Sequence, residues 1–112
     1  MGPKNPPDPS QQIQQLVAQR FKKISVAVLG DLILDEYIYG RVSRLSPEAP
    51  VPVLEVQSRQ QTLGGAGNVA RNIASLGGRV RLFAAVGDDE AAKQVRHLAA
   101  RDRIDVAELL VD

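Results

Sequence analysis

The chain of 112 residues has no cysteine, which excludes disulfides and thiolate metal sites. It has one histidine, His97, set among apolar and basic neighbours, which reads as an ordinary helix residue. Neither sign of charge dominates. Fourteen basic against thirteen acidic residues give a net charge of +1, a balance that argues against nucleic acid and against an anionic membrane surface. No apolar run approaches the ~18 residues of a membrane span. The N-terminus lacks the basic-then-apolar order of a secretion signal. These absences suit a cytoplasmic protein, where a cysteine-free chain is at home. No internal repeat is visible.

What is present is ordinary globular composition, 44% hydrophobic and 24% charged, on a length that allows one domain with a modest core. Residues 1–9 carry four prolines and almost nothing to bury, and read as a disordered lead. Residues 10–23 read as a short helix with Ser10 as N-cap and Ile13, Leu16, Val17 and Phe21 on one side. The run Ile24–Leu29, closed by Gly30, fits a strand buried on both faces of a parallel sheet. Asp31 and Asp35 follow it, at the edge where open α/β sheets bind ligands. Both can accept hydrogen bonds from hydroxyls. The plainer alternative is that Asp31 caps a turn and Asp35 is solvated.

Residues 37–62 read as a small antiparallel flap of low burial. Tyr37–Tyr39 forms one strand, Val51–Val56 the other, and Ser46–Pro50 a stiff turn, with Pro52 suited to an edge or a strand start. The stretch Leu63–Gly78 then opens as a glycine turn and becomes a helix. Val69, Ile73 and Leu76 fall on one apolar stripe, with Ala70 and Ala74 beside it, and Gly77 and Gly78 end the helix. Free N–H groups at its start favour a polar or anionic guest. Asn68 can cap the helix or turn its amide toward that guest. Val80–Gly87 reads as a third strand, and Asp88 as the cap of a helix running to about Asp102 with Ala92, Val95, Leu98 and Ala99 inward. Ile104–Asp112 approaches another strand. This alternation predicts α/β architecture with a parallel sheet, and so few covering helices predict a fragment of a doubly wound domain.

Gly65-Ala66-Gly67-Asn68-Val69-Ala70 matches the dinucleotide fingerprint in spacing, with Asp88 eighteen residues beyond Ala70. That fingerprint needs a buried strand running straight into the turn, and the polar Gln57–Thr62 stands in between. The alternative is a sugar site, in which Asp31, Asp35 and Asn68 converge on a polyol.

The motifs Val28-Leu29-Gly30-Asp31, Leu34-Asp35-Glu36-Tyr37, Val42–Val53 and Leu63–Asn72 resemble the N-terminal part of a ribokinase-like (phosphofructokinase B) carbohydrate kinase. The flap sequence Ser46-Pro47-Glu48-Ala49-Pro50 is similar to the branch that phosphorylates D-glycero-β-D-manno-heptose 7-phosphate for lipopolysaccharide precursor synthesis. The resemblance covers about residues 22–112. It implies a Rossmann-type sandwich over 24–112 with a β lid at about 37–62, a phosphosugar substrate, and a homodimer formed through the lid. It implies sugar contacts at Asp35, Gly65, Gly67 and Asn68, less directly at Asp31, and a lid edge at Arg44, Ser46 and Glu48. Gly67 stands where alanine is usual in the heptose branch, a change expected to widen the turn's conformational choice. ATP and Mg2+ are implied for the full-length enzyme, whose base and anion hole belong to a downstream aspartate-threonine-x-glycine-alanine-glycine-aspartate motif. Nothing here matches that motif, so no catalytic residue and no metal ligand is assigned. This stretch alone is expected to bind nucleotide poorly and not to turn over ATP. Other readings are a different ribokinase-like sugar or nucleoside kinase fragment, a non-catalytic remnant or binding module, and a dinucleotide-binding module.

Overall fold

A computed structural model describes Gly2 and residues 5–112. The elements run α1 (Pro9–Arg20), β1 (Ser25–Leu29), β2 (Leu32–Leu45), β3 (Pro52–Gly65), α2 (Ala66–Ser75), β4 (Arg79–Phe83), β5 (Ala85–Val86), α3 (Glu90–Arg101) and β6 (Leu110–Val111). A 3-10 turn, Phe21–Lys23, joins α1 to β1. The helix expected to run to Lys23 therefore ends at Arg20. Its cap is Asp8 rather than Ser10, with Oδ1 accepting from the Ser10 N–H at 3.1 Å. Pro9 at the first position presets φ for the helix. Of the expected disordered lead, residues 1, 3 and 4 lie outside the described residues, and Asp8 and Pro9 open the helix.

The parallel layer is built on the segment 79–86. β4 pairs with β1 in register Ser25↔Arg79 to Leu29↔Phe83, and β5 pairs with β6 in register Ala85↔Leu110 and Val86↔Val111, both parallel. The single strand expected over Val80–Gly87 is thus interrupted at Ala84, whose carbonyl accepts from the Leu110 N–H at 3.0 Å. α2 and α3 supply the crossovers, and the core lies among Leu63, Ala70, Ala74, Val80, Leu82, Val95, Leu98, Ala99 and Ile104. The inward set expected for α3 is buried as a group. β1 departs from expectation. It alternates half-buried and exposed positions, and Leu29 is 84% exposed, because nothing among the described residues covers its second face.

The antiparallel excursion is longer than the sequence suggests. β2 and β3 form a hairpin paired from Leu32↔Gly65 to Leu45↔Pro52, with register shifts at Tyr39/Gly40 and Val42/Arg44. Gln57–Thr62 belongs to β3, so a strand does run directly into the glycine turn. That strand is antiparallel to β2 and largely exposed, not a buried member of the parallel sheet, so the dinucleotide arrangement still fails. The polar residues hid the strand because cross-strand pairing, not burial, holds it. The hairpin and α1 draw the molecule out to a radius of gyration of 21.0 Å. A compact chain of this length has about 13 Å.

α2 buries Gly67, Ala70 and Ala74, while Val69 and Leu76 are 50% and 47% exposed. Of the stripe of larger side chains only Ile73 packs against the core, and the fully buried seam is made of the small residues. The glycine turn brings the helix so close to the strands that only small residues fit between. Its end is a Schellman motif. Gly77, at φ 96°, donates to the Ala74 carbonyl and Gly78 to that of Ile73. α3 is capped by Asp89, not Asp88, with Oδ1 accepting from the Ala92 N–H at 2.8 Å.

Candidate functional site

At its base the hairpin separates two kinds of residue. Leu32, Leu34 and Leu63 pack against the core, so by alternation Ile33 and Asp35 with Thr62 and Gly64 take the other face. Asp35 and Thr62 are directly opposed across the ladder. The Asp35 carboxylate leans along this face onto the neighbouring Gly64, in the space that a Cβ there would occupy.

The glycine turn holds a second set of groups beside it. Gly65 precedes α2 at φ 56° and ψ −130°, a conformation that L side chains avoid, and a Cβ there would run into the Asp31 carbonyl. That carbonyl accepts from the Ala66 N–H at 2.8 Å, which stitches the end of β1 to the start of α2. Asp31 thus acts through its backbone, with its side chain exposed. No side chain caps α2. Asn68 lies in its first turn and is not the cap. Its Oδ1 accepts from Arg71 Nη2 at 2.9 Å, and Arg71 Nη1 donates to Thr62 Oγ1. Thr62, Arg71 and Asn68 are thus linked by hydrogen bonds from β3 to α2, and Asp35 stands across the ladder from Thr62.

Gly67 does not supply the wider conformational choice expected of it. It is buried, and a Cβ would stand 2.7 Å from both Leu32 Cδ1 and Leu63 Cβ. The position serves close packing rather than conformational freedom, since its φ is not in the left-handed region.

The hairpin tip stands apart. Ser46 donates its N–H to the Val51 carbonyl at 2.7 Å and accepts from the Glu48 N–H through Oγ at 3.3 Å, closing the turn. Arg44 lies beside Val53, Leu54 and Glu55. Arg44 lies nine residue steps along β2 from Asp35, about 30 Å at ~3.3 Å per residue. The structure thus brings together Asp35, Gly65 and Asn68, sets Asp31 next to them, and leaves Arg44, Ser46 and Glu48 remote. Thr62 and Arg71 were missed by sequence reasoning. The only hint is the three-residue spacing of Asn68 and Arg71 on one helix. Among the described residues no three His, Cys, Asp or Glu side chains converge as a cation site, so no residue here is assigned to Mg2+.

The description of the pfkB family carbohydrate kinases matches residues 23–112. The chain belongs to this family. Among curated relatives it is 47% identical over 92 residues to the D-beta-D-heptose 7-phosphate kinase of Bordetella bronchiseptica, covering 82% of this chain and 29% of that protein. It is 49% identical over 92 residues to the bifunctional protein HldE of Caulobacter sp. (strain K31), covering 82% of this chain and 19% of that one. Among solved structures, a putative ribokinase from Agrobacterium tumefaciens superposes with a TM-score of 0.60 at 26% identity, over 79% of this chain and 28% of that one. This pfkB chain thus spans less than a third of the length of these relatives. The match includes the hairpin and the glycine turn, and it leaves the whole lead and α1 outside.

Proposed function

We propose that this pfkB chain forms the acceptor-sugar side of an ATP-dependent kinase acting on heptose 7-phosphate, in the assembly of lipopolysaccharide precursors. The supporting observation is that Asp35 pairs across the hairpin with Thr62, whose hydroxyl is linked through Arg71 to the Asn68 carboxamide at the start of α2. An ionised carboxylate accepts from sugar hydroxyls, and a carboxamide NH2 donates to their oxygens. Both stand on regular elements, β2 and α2, which hold them better than loops would. The name of the relative at 47% identity, a D-beta-D-heptose 7-phosphate kinase, supports the heptose 7-phosphate class.

Phosphoryl transfer is mostly positioning plus electrostatic stabilisation. The part played by these residues is to fix the sugar so that one hydroxyl faces the donor. ATP and Mg2+ supply the phosphoryl group and its charge neutralisation in the complete family fold. Asp35 is a sugar-holding group, not a base. The base of the hairpin serves as a lid beside the sugar, while Arg44, Ser46 and Glu48 stand at its distant tip.

Ile38, Val42, Leu54 and Val56 share one face of the hairpin and are all exposed. This apolar face supports a homodimer through the lid. No described helix is long and apolar enough to cross a membrane, and a cytoplasmic location accords with the chemistry of a soluble phosphosugar.

Titration of the chain with heptose 7-phosphate by calorimetry tests the reading. Saturable binding that Asp35→Ala abolishes supports it, and heat changes identical in the two proteins refute it. A coupled assay with ATP and heptose 7-phosphate tests the assignment of the chain to one side of the reaction, which sustained turnover would overturn.

A further inference from the structure

We propose that Arg71 is a positioning residue of this site: its guanidinium, bridging Thr62 on β3 and Asn68 on α2, fixes the Asn68 carboxamide with its NH2 toward the sugar. The inference rests on the acceptor-sugar reading above and specifies the pattern of hydroxyls the site takes.

A guanidinium only donates, so the atom of Asn68 held at 2.9 Å is the carbonyl Oδ1. The NH2 end, with two donors, is the one left over, on an exposed residue at the site. Asp35 has only acceptors when ionised. The two ligand-facing groups are thereby sorted, one accepting and one donating. A polyol satisfies both, one hydroxyl donating a hydrogen bond to Asp35 while another accepts from Asn68.

Arg71 is suited to this because both of its fork nitrogens are in use on neutral acceptors. No carboxylate of the described residues lies within ion-pair distance of it. Its second anchor, Thr62, is the cross-strand partner of Asp35, so the same side chain sets Asn68 relative to Asp35. Removing the guanidinium frees the carboxamide to turn over and offer either end, and the sorting is lost. Lysine keeps the charge but lacks the planar fork that spans two acceptors.

The test uses the whole chain with Arg71→Met, Arg71→Lys and the near-isosteric Thr62→Val. The first readout needs no ligand: nitrogen-15 relaxation of the Asn68 side-chain amide. Expected are an ordered amide in the unsubstituted chain and a mobile one in Arg71→Met and Arg71→Lys. The second is affinity for heptose 7-phosphate, expected to fall about tenfold in both arginine variants, the equivalent of one lost directed contact. A mobile Asn68 amide in the unsubstituted chain, or one equally ordered in Arg71→Met, overturns the proposal. So does an Arg71→Lys protein that matches the unsubstituted chain in both readouts. If the unsubstituted chain binds no sugar, the functional reading fails while the amide measurement still decides the positioning role. Should Arg71→Met not fold, Thr62→Val removes the anchor with the shape retained, and loosening of Asn68 is expected there too.

Discussion

The carboxylate of Asp35 lies against Gly64 on the neighbouring strand, in space that a Cβ would fill. The two are diagonal neighbours, since Asp35 pairs with Thr62 and Gly64 with Ile33. Gly64→Ala is expected to push the carboxylate aside, weakening sugar binding at least tenfold and costing about 1–3 kcal/mol of stability through overpacking. In an Asp35→Ala background the same change should be close to neutral for stability. Urea denaturation of the four proteins of this double-mutant cycle measures the coupling.

Gly65 and Gly67 stand two residues apart and fail for different reasons. Gly65→Ala meets both a disallowed φ and the Asp31 carbonyl, so a loss of about 3 kcal/mol or more is expected. Gly67→Ala meets only side-chain atoms, at 2.7 Å, and gains helix propensity of about 1 kcal/mol. Its net cost should be about 1 kcal/mol, relieved only in part when Leu32→Val makes room, because the Leu63 Cβ stays in place. Thermal unfolding of the two single variants and the Gly67→Ala/Leu32→Val pair checks the order.

The two ends of α3 offer opposite substitutions. Asp89→Ala removes the cap bond to Ala92 and should cost about 1 kcal/mol, whereas Asp88→Ala should change stability little. At the other end, Arg103 takes a left-handed φ of 60°, while its N–H donates to Ala100 and that of Ile104 to Ala99. This is a Schellman end without its usual glycine. Arg103→Gly should raise stability by about 1 kcal/mol. Denaturation midpoints in urea report both.

Asp105 titrates below its ordinary 3.8, held ionised first by the Ala107 N–H and then by its hydrogen bond and ion pair with Arg81. A folded-state value below the unfolded one stabilises the fold above the unfolded value, and that contribution is lost as pH falls through the lowered one. Asp105→Asn should therefore flatten the decline of stability with pH below about 4, measured by unfolding at stepped pH. A decline as steep as that of the unsubstituted chain would show that other carboxylates set it.

The alternation of strands and helices and the place of the glycine turn are legible in the chain because local periodicity carries them. The inward set of α3 follows from spacing alone, as does the termination of α2 at Gly77–Gly78. The length of the hairpin is not legible. Gln57–Thr62 has no apolar rhythm, and only pairing with Asp35–Tyr39 makes it a strand. The buried seam of α2 is not legible for a similar reason. Which side chains a helix hides depends on how near its neighbours come, and here Gly67 lets Leu32 and Leu63 approach too closely for Val69 to be the inward residue.

The sequence by itself determined the residue types of the site and their grouping at one strand end and one glycine turn, because glycine, aspartate and asparagine each have local demands that show in the order of residues. The tertiary structure alone decided that Asp35 rests on Gly64, that Thr62 carries Arg71 to Asn68, and that the hairpin tip lies far from all of them. Those facts depend on cross-strand register and on the meeting of a helix with a hairpin, and neither distance is encoded in the separation of residues along the chain.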